Sequence, residues 1–440
     1  MSLKFGTDGV RGVANAALTP SYVLNLGRAA ARVLGADRVV IGRDTRRSGA
    51  MLESALAAGF ASEGVDVELL GVVPTPAVAY IAKVDSVAAA VITASHNPFA
   101  DNGVKLFAAG GVKLTDEIER GIEAELAALD EPVLTGGAVG TISHLSDGLP
   151  RYVDHLVGLL PAAAFSGMSL VLDCAHGAMS PVAPDVLRRL GADVHLIGVE
   201  PDGCNINDGF GATHPGPLAA EVVARRAQLG LAFDGDGDRL IAVDHRGEIV
   251  DGDRLIALLA VDLRSRDGLA GNTVVVTVMS NLGFHKAMAH AGIDVLTTAV
   301  GDRYVLEGLA GGGFSLGGEQ SGHIIVSDLA TTGDGLLAGL LVVDLTRRSG
   351  RTLADLADGV MRSYPQVLLN TRVSRPWTEI APMVATDLAA VEDELNGDGR
   401  VLVRPSGTEP LVRVMIEAST DDLARALAQR LVTAITAASG

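Results

Sequence analysis

Leu229-Gly-Leu-Ala-Phe-Asp234-Gly-Asp236-Gly-Asp238-Arg239 is an apolar run that ends in three carboxylates spaced by single glycines. Leu229 to Phe233 reads as a buried strand, and the acidic stretch as the loop at its carboxyl end, the edge at which α/β sheets receive ligands. Carboxylates at alternate positions can converge on one hard cation through oxygen, and the glycines permit the backbone angles that wrap it. An EF-hand begins in the same way, but it would need glycine where Arg239 stands and glutamate where His245 stands. A solvated acidic turn is the alternative, because Asp-Gly pairs favour turns. Three like charges so close would repel without a cation, so Asp234, Asp236 and Asp238 are read as metal ligands.

On both sides of this stretch, short β-branched runs alternate with alanine-rich helical segments, the rhythm of largely parallel α/β sheets. Upstream, Arg38 to Ile41, Val65 to Leu70 and Val87 to Ile92 read as strands, with a helix from Arg46 to Glu63. Ser169 to Leu172 opens a second unit, followed by a helix reaching Leu190 and a strand at Val194 to Ile197. Downstream come a helix from Asp253, a strand at Thr273 to Val278, a helix from Gly283 and a strand at Asp294 to Thr298. After Tyr364-Pro365 the order changes to α+β: a helix from Glu379 to Leu395, β runs at Val401 to Val403 and Leu411 to Ile416, and a helix from Asp421 to Ala437. Loop-like stretches at Glu131 to Leu149 and Asp244 to Asp251 mark the other joints. The division expected is 1–149, 150–250, 251–364 and 365–440.

Three further motifs carry chemistry. Thr93-Ala-Ser95-His96-Asn97-Pro98 follows the strand Val87 to Ile92, where a serine can carry a phosphoryl group beside a metal. A serine–histidine couple is less expected, because adjacent residues rarely meet in the needed geometry and no partner carboxylate is evident. A plain turn hydroxyl is the bland reading of Ser95. Lys105, close behind, can hold phosphate or move a proton. Gly317-Gly-Glu319-Gln-Ser321-Gly-His323 offers a carboxylate, an amide, a hydroxyl and an imidazole in one turn, a mixture suited to sugar hydroxyls; His323 could equally be a core histidine. Arg404-Pro-Ser406-Gly407-Thr408-Glu-Pro410, with Arg413 beyond, reads as a phosphate nest or else as a hairpin turn. Arg11 lies in a Gly-rich opening loop, and Asp302 and Arg303 follow a strand.

Bulk properties narrow the class. The 440 residues are 48% hydrophobic, enough for several packed cores. A net charge of −18 and 3% aromatic residues argue against a nucleic-acid partner. No run reaches the ~18–20 apolar residues of a membrane span, and the segment nearest to it, Leu336 to Leu345, is broken by Asp344 and reads as a buried helix. With no apolar leader and only Cys174 and Cys204, a cytoplasmic protein without a disulfide framework is expected.

Taken in order, the four motifs resemble the α-D-phosphohexomutase superfamily: Thr93 to Pro98 its phosphoserine loop, Asp234 to Arg239 its metal loop, Gly318 to His323 its sugar-binding loop and Arg404 to Pro410 its phosphate-binding loop. Phe5 to Gly12, Val278 to Gly283, Val300 to Tyr304 and Gly407 look most like the bacterial phosphoglucosamine mutase branch. The resemblance implies three similar mixed-sheet α/β/α domains plus a C-terminal α+β domain around a central cleft. It implies interconversion of glucosamine 6-phosphate and glucosamine 1-phosphate through a 1,6-bisphosphate, upstream of UDP-N-acetylglucosamine. One Mg²⁺ per chain would be held by Asp234, Asp236, Asp238 and phosphorylated Ser95, with glucosamine or glucose 1,6-bisphosphate as activator. Lys105, Arg11 and Arg239 would stabilise phosphoryl oxygens, and Lys105 or His323 would move protons. Glu319 and Ser321, with Asp302 and Arg303, would bind the sugar. Arg404, Ser406, Gly407, Thr408 and Arg413 would hold the phosphate that is not reacting. A homodimer is the assembly considered. Phosphomannomutase/phosphoglucomutase activity, a metal-dependent serine phosphatase and a non-catalytic sugar-phosphate sensor are the rival readings.

Overall fold

A computed structural model describes residues 3–6, 8–131, 134–406 and 410–440. The chain forms two compact units, one of residues 1–279 and 293–358 and one of residues 280–292 and 359–440.

Runs such as Ala-Ala-Ala-Val-Ile at Ala88–Ile92 and Thr-Val-Val-Val-Thr at Thr273–Thr277 are buried along their whole length. Only a central strand covered on both faces accommodates such a run. The first unit contains three sheets built to one plan. In the first, the order is Asp101–Ala108, Ala88–Ile92, Arg38–Arg43, Asp66–Val72. The last three strands are parallel, and Asp101–Ala108 returns antiparallel to Ala88–Ile92. Leu240–Asp244, Leu229–Phe233, Ser169–Asp173 and Asp193–Ile197 repeat that order and those directions. Ile324–Val326, Leu316–Gly318, Thr273–Thr277 and Asp294–Thr298 repeat them again. Val10–Val13 and Ile142–His144 extend the first sheet on either side.

Helices cover these sheets. Pro20–Leu34 is started by Thr19, whose hydroxyl accepts the Tyr22 N–H, and has proline in its first turn, where a missing N–H costs nothing. Leu26, Leu52, Leu56 and Phe60 of this helix and its neighbour Gly49–Ser62 bury against Val39 and Ile41. Each such side chain contributes roughly 1.5–3 kcal/mol. Leu336 to Leu345 lies within the helix Gly335–Ser349, its apolar residues largely buried. No helix among the described residues is long and apolar enough to cross a membrane.

The second unit has an antiparallel sheet with Leu411–Glu417 between Gln366–Arg372 and Arg400–Pro405. Val412, Val414 and Ile416 pack with Leu427, Leu431 and Ile435 of the helix Asp421–Ser439. Leu282–Ala291 belongs to this unit: Asn281 caps it through Gly283 N–H, and its amide also donates to the Tyr364 carbonyl.

Some elements differ from the expectation. The helix expected from Glu379 to Leu395 is two, Trp377–Ile380 and Ala385–Leu395, because Pro382 between them interrupts the ladder. The helix expected to reach Leu190 is only Ala183–Arg189. Residues 174–182 form a loop instead, with Ala175 and His176 in left-handed conformation and Ala178 N–H bonded to the Gly235 carbonyl. The three sheets of the first unit are mixed, as the resemblance implies, since each carries an antiparallel return strand.

Candidate active site

Each antiparallel return strand is reached through a turn, and those turns hold the chemistry-bearing motifs. Residues 93–100 join Ala88–Ile92 to Asp101–Ala108, residues 234–239 join Leu229–Phe233 to Leu240–Asp244, and residues 319–323 join Leu316–Gly318 to Ile324–Val326. The repeated strand order therefore delivers three turns from equivalent positions.

Ser95 Oγ donates to Asp234 Oδ2 at 2.6 Å, although 139 residues separate the two. Gly235 is where their turns touch, since a Cβ there would meet the Ser95 carbonyl at 2.7 Å. Asp234, Asp236 and Asp238 are buried, and one carboxylate oxygen from each can be chosen so that all lie within 4.8 Å of one another. Asp236 Oδ1 and Asp238 Oδ1 are buried without a hydrogen-bond partner. Two orphaned, buried carboxylate oxygens among hard donors fit a hard divalent cation. Burial and the other two aspartates push Asp234 well above the ordinary carboxylate range.

Positive groups surround this cluster. Lys105 Nζ lies 3.0 Å from Asp236, 2.9 Å from Asp238 and 3.2 Å from Asp8. Burial would discharge this ammonium, but the three carboxylates outweigh it and hold its pKa well above normal. Burial also pushes Asp238 up, yet Lys105 and His323 hold it well below. Asp8 pairs with Arg11 and, at 3.6 Å, with Lys113. Arg239 N–H donates to Asp234 Oδ1, and its buried Nε makes no hydrogen bond but lies 3.9 Å from Asp238 Oδ1.

Adjacency does not keep Ser95 and His96 apart as the sequence suggests: Ser95 Oγ is 3.2 Å from His96 Nδ1. A positive φ of 50° at Ser95 bends the turn enough for the two to meet. Burial and then Arg239 and Arg11 depress the His96 pKa to about 4, so its imidazole is neutral near pH 7. The carboxylate beside this pair, Asp234, accepts from Ser95 Oγ and does not orient the His96 ring.

His323 is buried with Nδ1 3.6 Å from Asp238 and Nε2 accepting the Gly333 N–H at 3.1 Å. Burial disfavours its charged form, while Asp238, Asp302 and Glu319 draw the pKa up to about 9. These influences conflict with the backbone donor. That N–H is fixed, and Asp302 is already paired with Lys113, so the geometry supports a neutral ring with its proton on Nδ1.

A cavity of about 430 Å³ opens over these groups, lined by Lys4, Asp8, Arg11, His96, Asp238, Arg239, Asp302, Glu319 and His323. Its volume suits a sugar phosphate. Glu319 Oε1 accepts the Gly301 N–H at 3.1 Å, tying the turn before Asp302 to the cavity wall. Ser321 is exposed and does not line the cavity. Nor does Arg303, whose guanidinium pairs with Asp116 and with Glu119 at 2.7 Å.

In the second unit Arg404 and Arg413 stand opposite one another in register across two antiparallel strands. Burial and Arg413 both lower the Arg404 pKa, and Arg413 Nε is buried without a partner. Like charges directly opposite are unfavourable unless an anion joins them. Ser406 N–H donates to the Leu411 carbonyl. Gly407 and Thr408 lie outside the described residues.

Sequence reasoning missed Asp8, Lys113, Arg46 and Asn207, all at or behind the site. Gly42-Arg-Asp-Thr-Arg46-Arg, a charged run ending a buried strand, was the signal available for Arg46.

Four models of the phosphoglucomutase/phosphomannomutase family match the chain in order: alpha/beta/alpha domain I at residues 2–133, domain II at 150–247, domain III at 251–364 and the C-terminal domain at 368–434. A phosphoglucosamine mutase of Frankia alni is 51% identical over 100% of this chain and 99% of its own. One from Bacillus cereus is 50% identical over the whole of both. Among solved structures, a phosphoglucomutase/phosphomannomutase family protein of Burkholderia thailandensis superposes with a TM-score of 0.81 at 26% identity, covering 98% of this chain and 97% of that one. Aspergillus fumigatus N-acetylphosphoglucosamine mutase, in complex with GlcNAc-6P and magnesium, shares the fold with a TM-score of 0.70 at 18% identity, covering 100% and 96%. The chain thus belongs to the phosphoglucomutase/phosphomannomutase family of α-D-phosphohexomutases, with all four of that family's domains.

Proposed function

We propose that this chain interconverts glucosamine 6-phosphate and glucosamine 1-phosphate, as a phosphoglucosamine mutase acting in the cytoplasm upstream of UDP-N-acetylglucosamine. The observation that carries this reading is Ser95 Oγ, 2.6 Å from one of three clustered aspartates under a sugar-sized cavity. Full-length relatives at about half identity named phosphoglucosamine mutase support the choice of substrate.

Phospho-Ser95 gives its phosphoryl group to the free sugar hydroxyl: the Ser95 O–P bond breaks, a sugar O–P bond forms, and the hydroxyl proton ends on the released Ser95 Oγ. The resulting 1,6-bisphosphate turns end for end and returns its other phosphoryl group to Ser95. Lys105, held charged, with Arg11 and Arg239, neutralises the phosphoryl oxygens. A Lys105 so strongly charged is a poor base. His96 Nδ1, unprotonated and beside Ser95 Oγ, suits exchange of the serine proton, whereas His323 keeps its Nε2 lone pair in the bond from Gly333 N–H and has only its Nδ1 proton to give. Asp234, Asp236, Asp238 and a phosphoserine oxygen would hold a divalent ion, Mg²⁺ by its oxygen donors, which would withdraw charge from the transferring group. Asp302 and Glu319 face the sugar, and Ser321 and Arg303 would join them on closure. Arg404, Ser406, Gly407, Thr408 and Arg413 would bind the distant phosphate. Glucosamine or glucose 1,6-bisphosphate would rephosphorylate Ser95 that loses its phosphoryl group.

Intact mass of the purified protein, before and after each candidate sugar phosphate, tests this. One phosphoryl group that glucosamine 6-phosphate exchanges, with faster turnover than on glucose 1-phosphate or mannose 1-phosphate, is expected. Release of inorganic phosphate at the rate of turnover would instead mark a phosphatase.

A further inference from the structure

Ser95 is a non-glycine residue at φ 50° inside a buried turn, a conformation that does not hold itself. What holds it comes from beneath. Arg46, buried, directs Nη2 at the carbonyls of Ser95, 3.0 Å, and Asn97, 2.8 Å, and Nη1 at those of Asp101, 3.0 Å, and Pro98. Its Nε donates to Asp44 at 2.8 Å, so every N–H of the guanidinium is used. Asp44 also accepts the Thr93 hydroxyl at 2.7 Å, and that oxygen accepts the Ser95 N–H at 2.9 Å. From the second sheet's side, Asn207 Nδ2 donates to the same Ser95 carbonyl at 2.9 Å. The planar fork is therefore the common node of a turn that has few backbone hydrogen bonds of its own.

We propose that Arg46 is the positioning residue for phosphoryl transfer, its guanidinium clamping four carbonyls of the 95–101 turn so that Ser95 Oγ points at the aspartates in both half-reactions. The clamp grips only main chain. Oγ can gain and lose a phosphoryl group without changing any of Arg46's bonds, which a hold on the side chain would not allow. The inference rests on the transfer at Ser95 described above and adds the element that fixes its geometry.

The test uses the full chain with Arg46→Lys, which keeps the charge but has no planar fork, and Thr93→Val, which removes the hydroxyl between Asp44 and the Ser95 N–H. Turnover and hydrogen exchange of a peptide covering 93–103 are measured on each. In Arg46→Lys kcat should fall about 100-fold while KM stays within about threefold, the pattern of a misplaced reacting group. Thr93→Val should lose about tenfold in kcat in the same pattern. Exchange in 93–103 should rise in both. A variant that melts earlier but keeps its kcat per folded molecule, or whose 93–103 exchange is unchanged, overturns the proposal; if Arg46→Lys does not fold, Thr93→Val decides alone. Wild-type protein that never carries phosphate on Ser95 overturns the reading of the site itself. Phosphorylated wild type matched by its variants overturns only the clamp.

Discussion

The turn around Ser95 and the strands around Arg404 are the two places proposed to hold phosphate, and they are built in opposite ways. Ser95 sits in a buried turn held by side chains from two loops, Arg46 after the strand Arg38–Arg43 and Asn207 after Asp193–Ile197. Arg404 and Arg413 are simply placed opposite each other on a regular ladder, partly exposed, and burial and the Arg413 charge lower the Arg404 pKa. The difference separates two tasks. An atom that must react has to be placed to within a fraction of an ångström, whereas a group that only binds an anion needs charge and a donor.

That contrast can be broken by three measurements. Ser95→Ala should lower turnover by at least ~10³-fold and leave the purified protein without a phosphoryl group in its mass spectrum. Arg413→Ala should act mainly on KM, raising it about 10–100-fold, as expected for loss of a charge-assisted contact of ~1.5–3 kcal/mol. A fall in kcat alone would mean that the two ends do not divide the work. The smallest effect concerns the packing behind the reactive turns. Asp334 lies between Gly333, which bonds His323, and Gly335, which bonds the Gly237 carbonyl. It caps Gly335–Ser349 and accepts the Tyr152 hydroxyl at 2.9 Å. Burial raises its pKa from 3.8 to about 6. The folded state binds that proton more tightly than the unfolded one, so the stabilisation is full below pH 4 and is lost as pH rises through 6. Chemical denaturation should therefore show the advantage of wild type over Asp334→Asn shrinking by about 1–3 kcal/mol between pH 4 and 7.

Three of the four chemistry-bearing motifs were legible as Gly-, Ser- or Asp-rich interruptions after a clear β run, and the fourth, Gly317 to His323, only as a Gly-framed turn of polar residues. Their meeting was legible only through the family resemblance. Nothing local in Ser95 points to Asp234, and the hydrogen bond between them depends on two separate sheets. The return strands were harder: Asp101-Asn-Gly and the residues after Arg239 carry turn signals at their start, so no strand was read there and only the resemblance implied mixed sheets. Arg303 follows a strand, the place where ligands dock, but no local signal announced its pairing with Asp116 and Glu119 from a helix far upstream. The charged run after a buried strand marked the place of Arg46 but not its role, because its partners are carbonyl oxygens, which every residue owns.

The threefold repeat of strand order has a practical corollary for anyone who wishes to alter this chain. Because the reactive hairpins all leave their sheets at equivalent corners, one residue added to any of them displaces a working atom. The exposed run 134–139 leads into the outer strand Ile142–His144 at a position remote from those corners in the sheet. Since closing a longer surface loop costs only about 0.6 kcal/mol per doubling, that run is where a tag or an inserted domain can be carried without disturbing the chemistry.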